Sequence, residues 1–300
     1  MYAQLLSRNK DGQNIFFSPF SIAAVLTMTL DGARKNTAEE LATVLHVKNQ
    51  RDKVHRRFEK FLKKIYKFAP HVEFHVANRM YGDQRFAVQA SYRSQLENSY
   101  GATICSVDLA KNHEAVRLEA NEWVSEQTAS KIRDLLPPGS INADTAFILL
   151  NAIYFKGLWN SPFRADNTEP RDFHLDTKNT VKVDTMVQDD ESYKMASSKD
   201  LRARALEMPY RGGKMSMVIL LPDEVEGLSF LEQHLSADRL STLLGSVERN
   251  NSVYLSVPKL KIERSLVLKD CPRGSRCRGP VYTGSCRPFG NLRVREPGGV

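Results

Sequence analysis

A run such as FILLNAIYF, Phe147 to Phe155, is stable only as a strand covered on both faces, because it offers no polar face to solvent. It is expected to be central, with Asn151 a buried amide satisfied by its neighbours. A covered strand needs layers around it, and the flanking chain supplies both helices and strands. Ser18-Pro19 caps a buried helix that runs to Gly32. Thr37, three residues before Glu40, makes a capping box for a short amphipathic helix. Apolar positions at Val54, Phe58, Phe61, Leu62, Ile65 and Phe68 give residues 51–69 a core-facing helical stripe. Residues 71–81 alternate as a strand, and 88–98 and 113–131 read as helices around a strand at 102–107. From 173 to 222 the chain is rich in strands, with a hairpin turn at Arg211-Gly212-Gly213-Lys214. Two short helices at 227–245 and strands at 252–263 complete an α+β chain.

Several functions are excluded by what the sequence lacks. With 41% hydrophobic and 26% charged residues the composition is globular, and each apolar stretch is broken by Ser, Thr, Pro or Asn before it reaches membrane-spanning length. The opening MYAQLLSRNKDGQ has no signal-peptide pattern. There is no G-x-S-x-G, H-E-x-x-H, G-x-x-x-x-G-K or G-x-G-x-x-G, so the chain is not expected to be an enzyme or to use a cofactor. No nucleic-acid or membrane partner is expected. Cys105 is alone in the body, while Cys271, Cys277 and Cys286 crowd the tail, so no disulfide framework holds the main fold. Three thiols without a tail His fall short of a zinc site, and no metal is expected.

Three segments in order, NIFFSPFSIAAVLTMTLDGARKNTAEEL (Asn14 to Leu41), FILLNAIYFKGLWNSPF (Phe147 to Phe163) and VPKLKIERSLVLKD (Val257 to Asp270), resemble a serpin. Met208 to Tyr210 and Leu220 to Pro222 extend the likeness, which covers residues 1–270. It implies a large central mixed sheet, two smaller sheets and about eight helices, incomplete at the C-terminus. It also implies a shutter under the main sheet at Ser18, Ser21 and Asn151, and a breach at Lys156 and Trp159. The activity implied for the parent is suicide inhibition of a serine protease, whose cleavage of an exposed loop is followed by insertion of that loop into the sheet.

Residues 271–300 depart from the pattern: they have no hinge, no reactive loop and no closing strand pair, and are read as a disordered tail rich in Arg, Gly, Pro and Cys. Six Arg against one Glu there account for most of the +8 net charge. Codons for Gly274 to Val300, read one nucleotide later, permit Asp-Leu-Phe and Ala-Asp-Leu-Ser-Gly-Ile-Ser, elements that resemble what a serpin carries at this place. A frameshift between Asp270 and Gly274 is therefore expected. The amino terminus resembles a start inside the family's first helix, so the chain is read as truncated at both ends, non-inhibitory, and monomeric or aggregation-prone.

One feature outside that loss is the helix over 51–67. Lys53, Arg56, Arg57, Lys60, Lys63, Lys64 and Lys67 share one face opposite the apolar stripe. Such a row suits a heparin-like glycosaminoglycan, and some serpins bind one on the corresponding helix. Asn250-Asn251-Ser252 is a glycosylation sequon. Together with the resemblance it points to an extracellular protein.

Overall fold

The computed structural model describes residues 2–8, 14–48, 50–267 and 293–297. In chain order the elements are α1 (Tyr2–Arg8), α2 (Pro19–Gly32), α3 (Lys35–Val44), α4 (Arg51–Ile65), β1 (Val72–Asp83), α5 (Ala90–Tyr100), β2 (Thr103–Val107), α6 (Leu109–Gln127) and β3 (Phe147–Gly157). Then follow β4 (Thr168–His174), β5 (Thr180–Ser198), β6 (Ala203–Pro209), β7 (Ser216–Pro222), α7 (Leu228–His234), α8 (Ala237–Gly245), β8 (Glu248–Pro258), β9 (Glu263–Val267) and β10 (Arg293–Pro297).

One sheet has the order β2-β1-β3, with β1 parallel to β2 and antiparallel to β3. Among the described residues the middle strand of this hydrogen-bonded sheet is β1, not the FILLNAIYF strand β3, although β10 lies beside β3. Its two-sided cover is real nonetheless. Ile148, Leu150 and Ala152 join a core with Leu109, Val116, Ala120 and Val124 of α6. Leu149, on the other face, packs with Val25 and Met28 of α2 and Leu96 and Tyr100 of α5. Alternation along one strand thus feeds two separate cores.

A second sheet has the order β4-β5-β6-β7, with β8 also on β5. The 19-residue β5 pairs β4 through Thr180–Met186 and β6 through Lys194–Ser198, while β8 follows it from Thr185 to Met195. Its register slips between Gln188 and Tyr193, where Asp190 has φ 56°. The hairpin turn between β6 and β7 lies where the two glycines predict it, with Gly212 at φ 89° and Gly213 at φ 64°, values that a side chain would strain. In the third sheet β9 pairs β10 antiparallel, and β10 also runs beside β3. Within the tail expected to be disordered, residues 293–297 thus form a strand, because an open edge such as that of β9 templates pairing. The rest of the tail lies outside the described residues.

Local signals located the helices unevenly. The Ser18 Oγ accepts from the Ser21 amide at 3.1 Å, as a good N-cap does. The capping box from Thr37 does not start α3, which begins at Lys35 after Arg34 and has no side-chain cap bond there. The guanidinium of Arg34 turns back to the Asp31 and Ala33 carbonyls at the end of α2. The helix expected over 51–69 is α4 followed by a 3-10 turn, Tyr66–Phe68. α6 begins four residues before the expected start, because Asp108 caps it on the Lys111 amide at 3.1 Å. Among the described residues no helix is long and apolar enough to cross a membrane.

Where β1 ends, the buried carboxylate of Asp83 accepts from the Arg85 amide at 2.9 Å, Arg85 Nε at 2.6 Å and the Leu109 amide at 2.9 Å. The Arg85 side-chain bond, with the two amides, holds its pKa down to about 2. A carboxyl depressed in the fold stabilises it fully above its unfolded value of about 4, and that contribution fades as pH falls toward 2. Asp83→Asn should therefore flatten the loss of stability between about pH 4 and pH 2. Urea midpoints that fall in parallel for variant and parent over this range would refute it.

Candidate functional site

Three groups of predicted residues lie along the β1–β3 layer and the helices beneath it. The first is polar. Asn151 stands opposite Asn78 in the β1–β3 register, and its Nδ2 donates to Asn78 Oδ1 at 2.7 Å. Asn78 Nδ2 in turn donates to the Tyr100 carbonyl at 2.8 Å, which ties the strand pair to the end of α5. Asn151 Oδ1 is buried without a partner among the described residues. Ser18 and Ser21 sit at the start of α2, with Ser21 buried; the Ser18 hydroxyl takes the Ser21 backbone amide in the helix cap, and the side-chain amide of Asn151 bonds to Asn78 and not to either serine. Sequence reasoning missed Asn78; the signal was a second amide in a strand that had to pair with the one carrying Asn151.

The second group closes the far end of β3. The ring of Trp159 stacks on that of Tyr210, with centroids 4.6 Å apart and planes 12° apart, while Phe155 meets Tyr210 edge-on at 5.1 Å. Backbone bonds complete the tie: Asn160 N to Pro209 O at 2.9 Å and Arg211 N to Leu158 O at 2.7 Å. The three-stranded sheet is thereby sewn to the β6–β7 hairpin. Lys156 is exposed and faces Glu73 across the β1–β3 pair.

The third group is the outer face of α4. All of Lys53, Arg56, Arg57, Lys60, Lys63, Lys64 and Lys67 are exposed, Lys67 from the 3-10 turn. Lys63 pairs with Glu59 at 2.5 Å on the same helix, which leaves that lysine partly neutralised. The inner face is anchored by Val54, Leu62 and Ile65, all buried. Aromatic rings fix it further, with Phe20 of α2 4.9 Å from Phe61 and 5.3 Å from Phe58. The packed side thus presents the cations in one direction.

His55, which sequence reasoning did not single out, points inward from the same helix. Its Nδ1 lies 2.8 Å from the Tyr100 hydroxyl and its Nε2 3.5 Å from an Asp31 carboxylate oxygen. Burial pushes the imidazole below its ordinary range although Asp31 pulls the other way, and burial pushes the Asp31 carboxyl up. Burial also raises the Tyr100 phenol, which stays protonated as a donor. Asn250 is exposed on β8, opposite Tyr193 of β5. No group of three or more His, Cys, Asp or Glu able to hold a metal occurs among the described residues.

Residues 1–271 match the model of the family described as Serpin (serine protease inhibitor). The chain is 52% identical to Ipis-1 of Ixodes persulcatus over 271 residues, which are 90% of this chain and 71% of that protein. It is 36% identical to leukocyte elastase inhibitor A of Mus musculus over 273 residues, 88% of this chain and 71% of that one. Among solved structures, emu ovalbumin superposes with a TM-score of 0.83 at 29% identity, covering 89% of this chain and 72% of that chain. With the order of elements and the two-sided cover of β3 in place, these matches identify the chain as a member of the serpin family.

Proposed function

We propose that residues 1–270 are a serpin domain, that residues 271–300 lie outside it, and that this chain does not itself trap a protease. Protease inhibition is what the family's description names and what one relative, leukocyte elastase inhibitor A, is named for, and it would belong to a parent chain with a reactive loop. The observation behind this reading is that residues 272–300 fall outside the family match and hold no small-residue hinge or loop. In the same reading Ser18, Ser21 and Asn151 are shutter residues and Lys156 and Trp159 breach residues. The amide pair and the Trp159–Tyr210 stack support those roles by lying where the sheet meets its neighbours.

A second activity is favoured by one observation, the seven exposed cations along α4 and its 3-10 turn. The reading is that this face binds a heparin-like glycosaminoglycan, whose sulfates displace counterions as they pair with Lys and Arg. An extracellular location would bring such a partner within reach, and the exposed Asn250 would be glycosylated there. Among the described residues β7 is an edge strand, and its exposed Met217, Val218 and Leu221 support a monomer prone to aggregate.

One experiment separates the two activities. Incubation with trypsin-, chymotrypsin- and elastase-like proteases should give no SDS-stable complex, while a heparin column should retain the chain until salt is raised. Each surface cation is worth about 1 kcal/mol against a dense anionic surface, so Lys60→Ala, Lys63→Ala and Lys64→Ala together should weaken binding roughly a hundredfold. A covalent complex would overturn the first reading; unchanged elution of the triple variant would overturn the second.

A further inference from the structure

The outer face of α4 has been read as a polyanion site; its inner face carries a buried histidine that this reading does not use. One tautomer of neutral His55 satisfies both of its contacts. The protonated Tyr100 hydroxyl donates to Nδ1, which leaves the ring proton on Nε2, directed at Asp31. A second proton would occupy Nδ1 and force the Tyr100 O–H to turn away. Thr27, fully buried beside Tyr100, donates its own hydroxyl proton to the Ala23 carbonyl at 2.6 Å, so its oxygen is the acceptor toward which the Tyr100 O–H would turn. The imidazolium formed would face the Asp31 carboxylate, converting a long polar contact into an ion pair between α4 and α2.

The charges around the ring come from each packed element. From α2 there is Asp31, with Arg34 just beyond the helix; from α4 itself, Arg51 and Asp52; from α5, Tyr100 and Tyr92, whose phenols the Asp31 charge helps keep protonated. Arg51 is turned toward α2, where its Nη2 donates to the Leu30 carbonyl at 3.3 Å. Asp31 keeps about a quarter of its side chain exposed, which gives protons a route to the pair. The field that opposes protonation is burial together with Arg51, and a polyanion lying along the outer face of the same helix would add a long-range negative potential that offsets it.

We propose that His55 makes polyanion binding by α4 acid-sensitive, proton uptake by its imidazole and polyanion uptake by the outer face of the same helix each favouring the other. The inference rests on the polyanion reading of α4. Reciprocity is obligatory: if heparin raises the proton affinity of His55, acid raises the affinity for heparin by the same factor. A cation on the surface of the helix would add about fivefold, and one on its inner face about threefold.

The test uses the intact chain and heparin as the probe, with dissociation constants measured between about pH 7.5 and about pH 5.5. The parent should bind about threefold more tightly at the lower pH, and heparin should move the His55 imidazole titration, followed by NMR, upward. His55→Gln should bind at neutral pH about as well as the parent and lose the extra gain in acid. Exposed His46 should not matter, so His46→Gln should keep the full gain. A His55→Gln variant with the parental pH slope overturns the inference while leaving the polyanion site standing. No retention of the parent at any pH overturns both. Should His55→Gln fail to fold, Tyr100→Phe keeps the packing but removes the hydroxyl, and a titration of His55 there that heparin leaves unmoved is an equally decisive refutation.

Discussion

Gly157→Ala is expected to cost about 3 kcal/mol and to lower the thermal midpoint by about 6 °C or more. A Cβ built at Gly157 falls 2.4 Å from Tyr210 Cδ1 and 2.7 Å from Cε1, well inside contact distance. The ring cannot step aside, because Trp159 stacks on it and Phe155 abuts it. What gives way is either the last pair of β3 or the β6–β7 hairpin, and with it the tie between two sheets. Tyr210→Leu in the Gly157→Ala background should recover part of the loss, a coupling that a double-mutant cycle measures directly. A single variant that melts within a degree of the parent would show the close approach to be soft.

Leu96→Ala should be nearly as damaging, at about 3 to 4 kcal/mol by urea unfolding. Leu96 has no exposed surface and packs among Val25, Met28, Met80, Tyr100 and Ile104, which come from four different elements. The cavity would open where α5 meets α2 and the β1–β2 pair, so no single element can relax to fill it. Phe58 of α4 borders the same cluster, so the helix that carries the cations should loosen as well. Leu96→Met, which keeps most of the volume, should cost less than about 1.5 kcal/mol. Equal losses for the two variants would mean the site is not close-packed.

Much of this was legible in the sequence because it was local or periodic. Ser18-Pro19 announces α2 through groups two or three residues apart, and the three- and four-residue spacing of α4 sorts its cations outward and Val54, Leu62 and Ile65 inward. The two faces of β3 followed from an apolar run with nowhere to meet water. The failures have a common cause. The start of α3 depends on how Arg34 caps the preceding helix, and β10 on an edge presented by a strand some thirty residues away. Asn78, Tyr100 and His55 look like ordinary strand and helix residues until register and packing bring them together. The shutter and breach positions came from likeness to a family, because no local pattern marks them.

The long strand β5 has a mechanical consequence. β4 and β6 pair with successive lengths of it, while β8 pairs with the stretch between, from Thr185 to Met195, and overlaps β4 at Thr185–Met186 and β6 at Lys194–Met195. At the irregular stretch between Gln188 and Tyr193 the ladder is interrupted, yet Tyr193 OH bonds to the Gln188 side chain, and Gln188 Nε2 holds the Ser161 carbonyl at 2.8 Å. The sheet therefore behaves as one plate with a crease, not as two plates joined by a loop. A load applied at β4 would pass along a continuous backbone to β6 and the Tyr210 turn, and bending would concentrate at the crease.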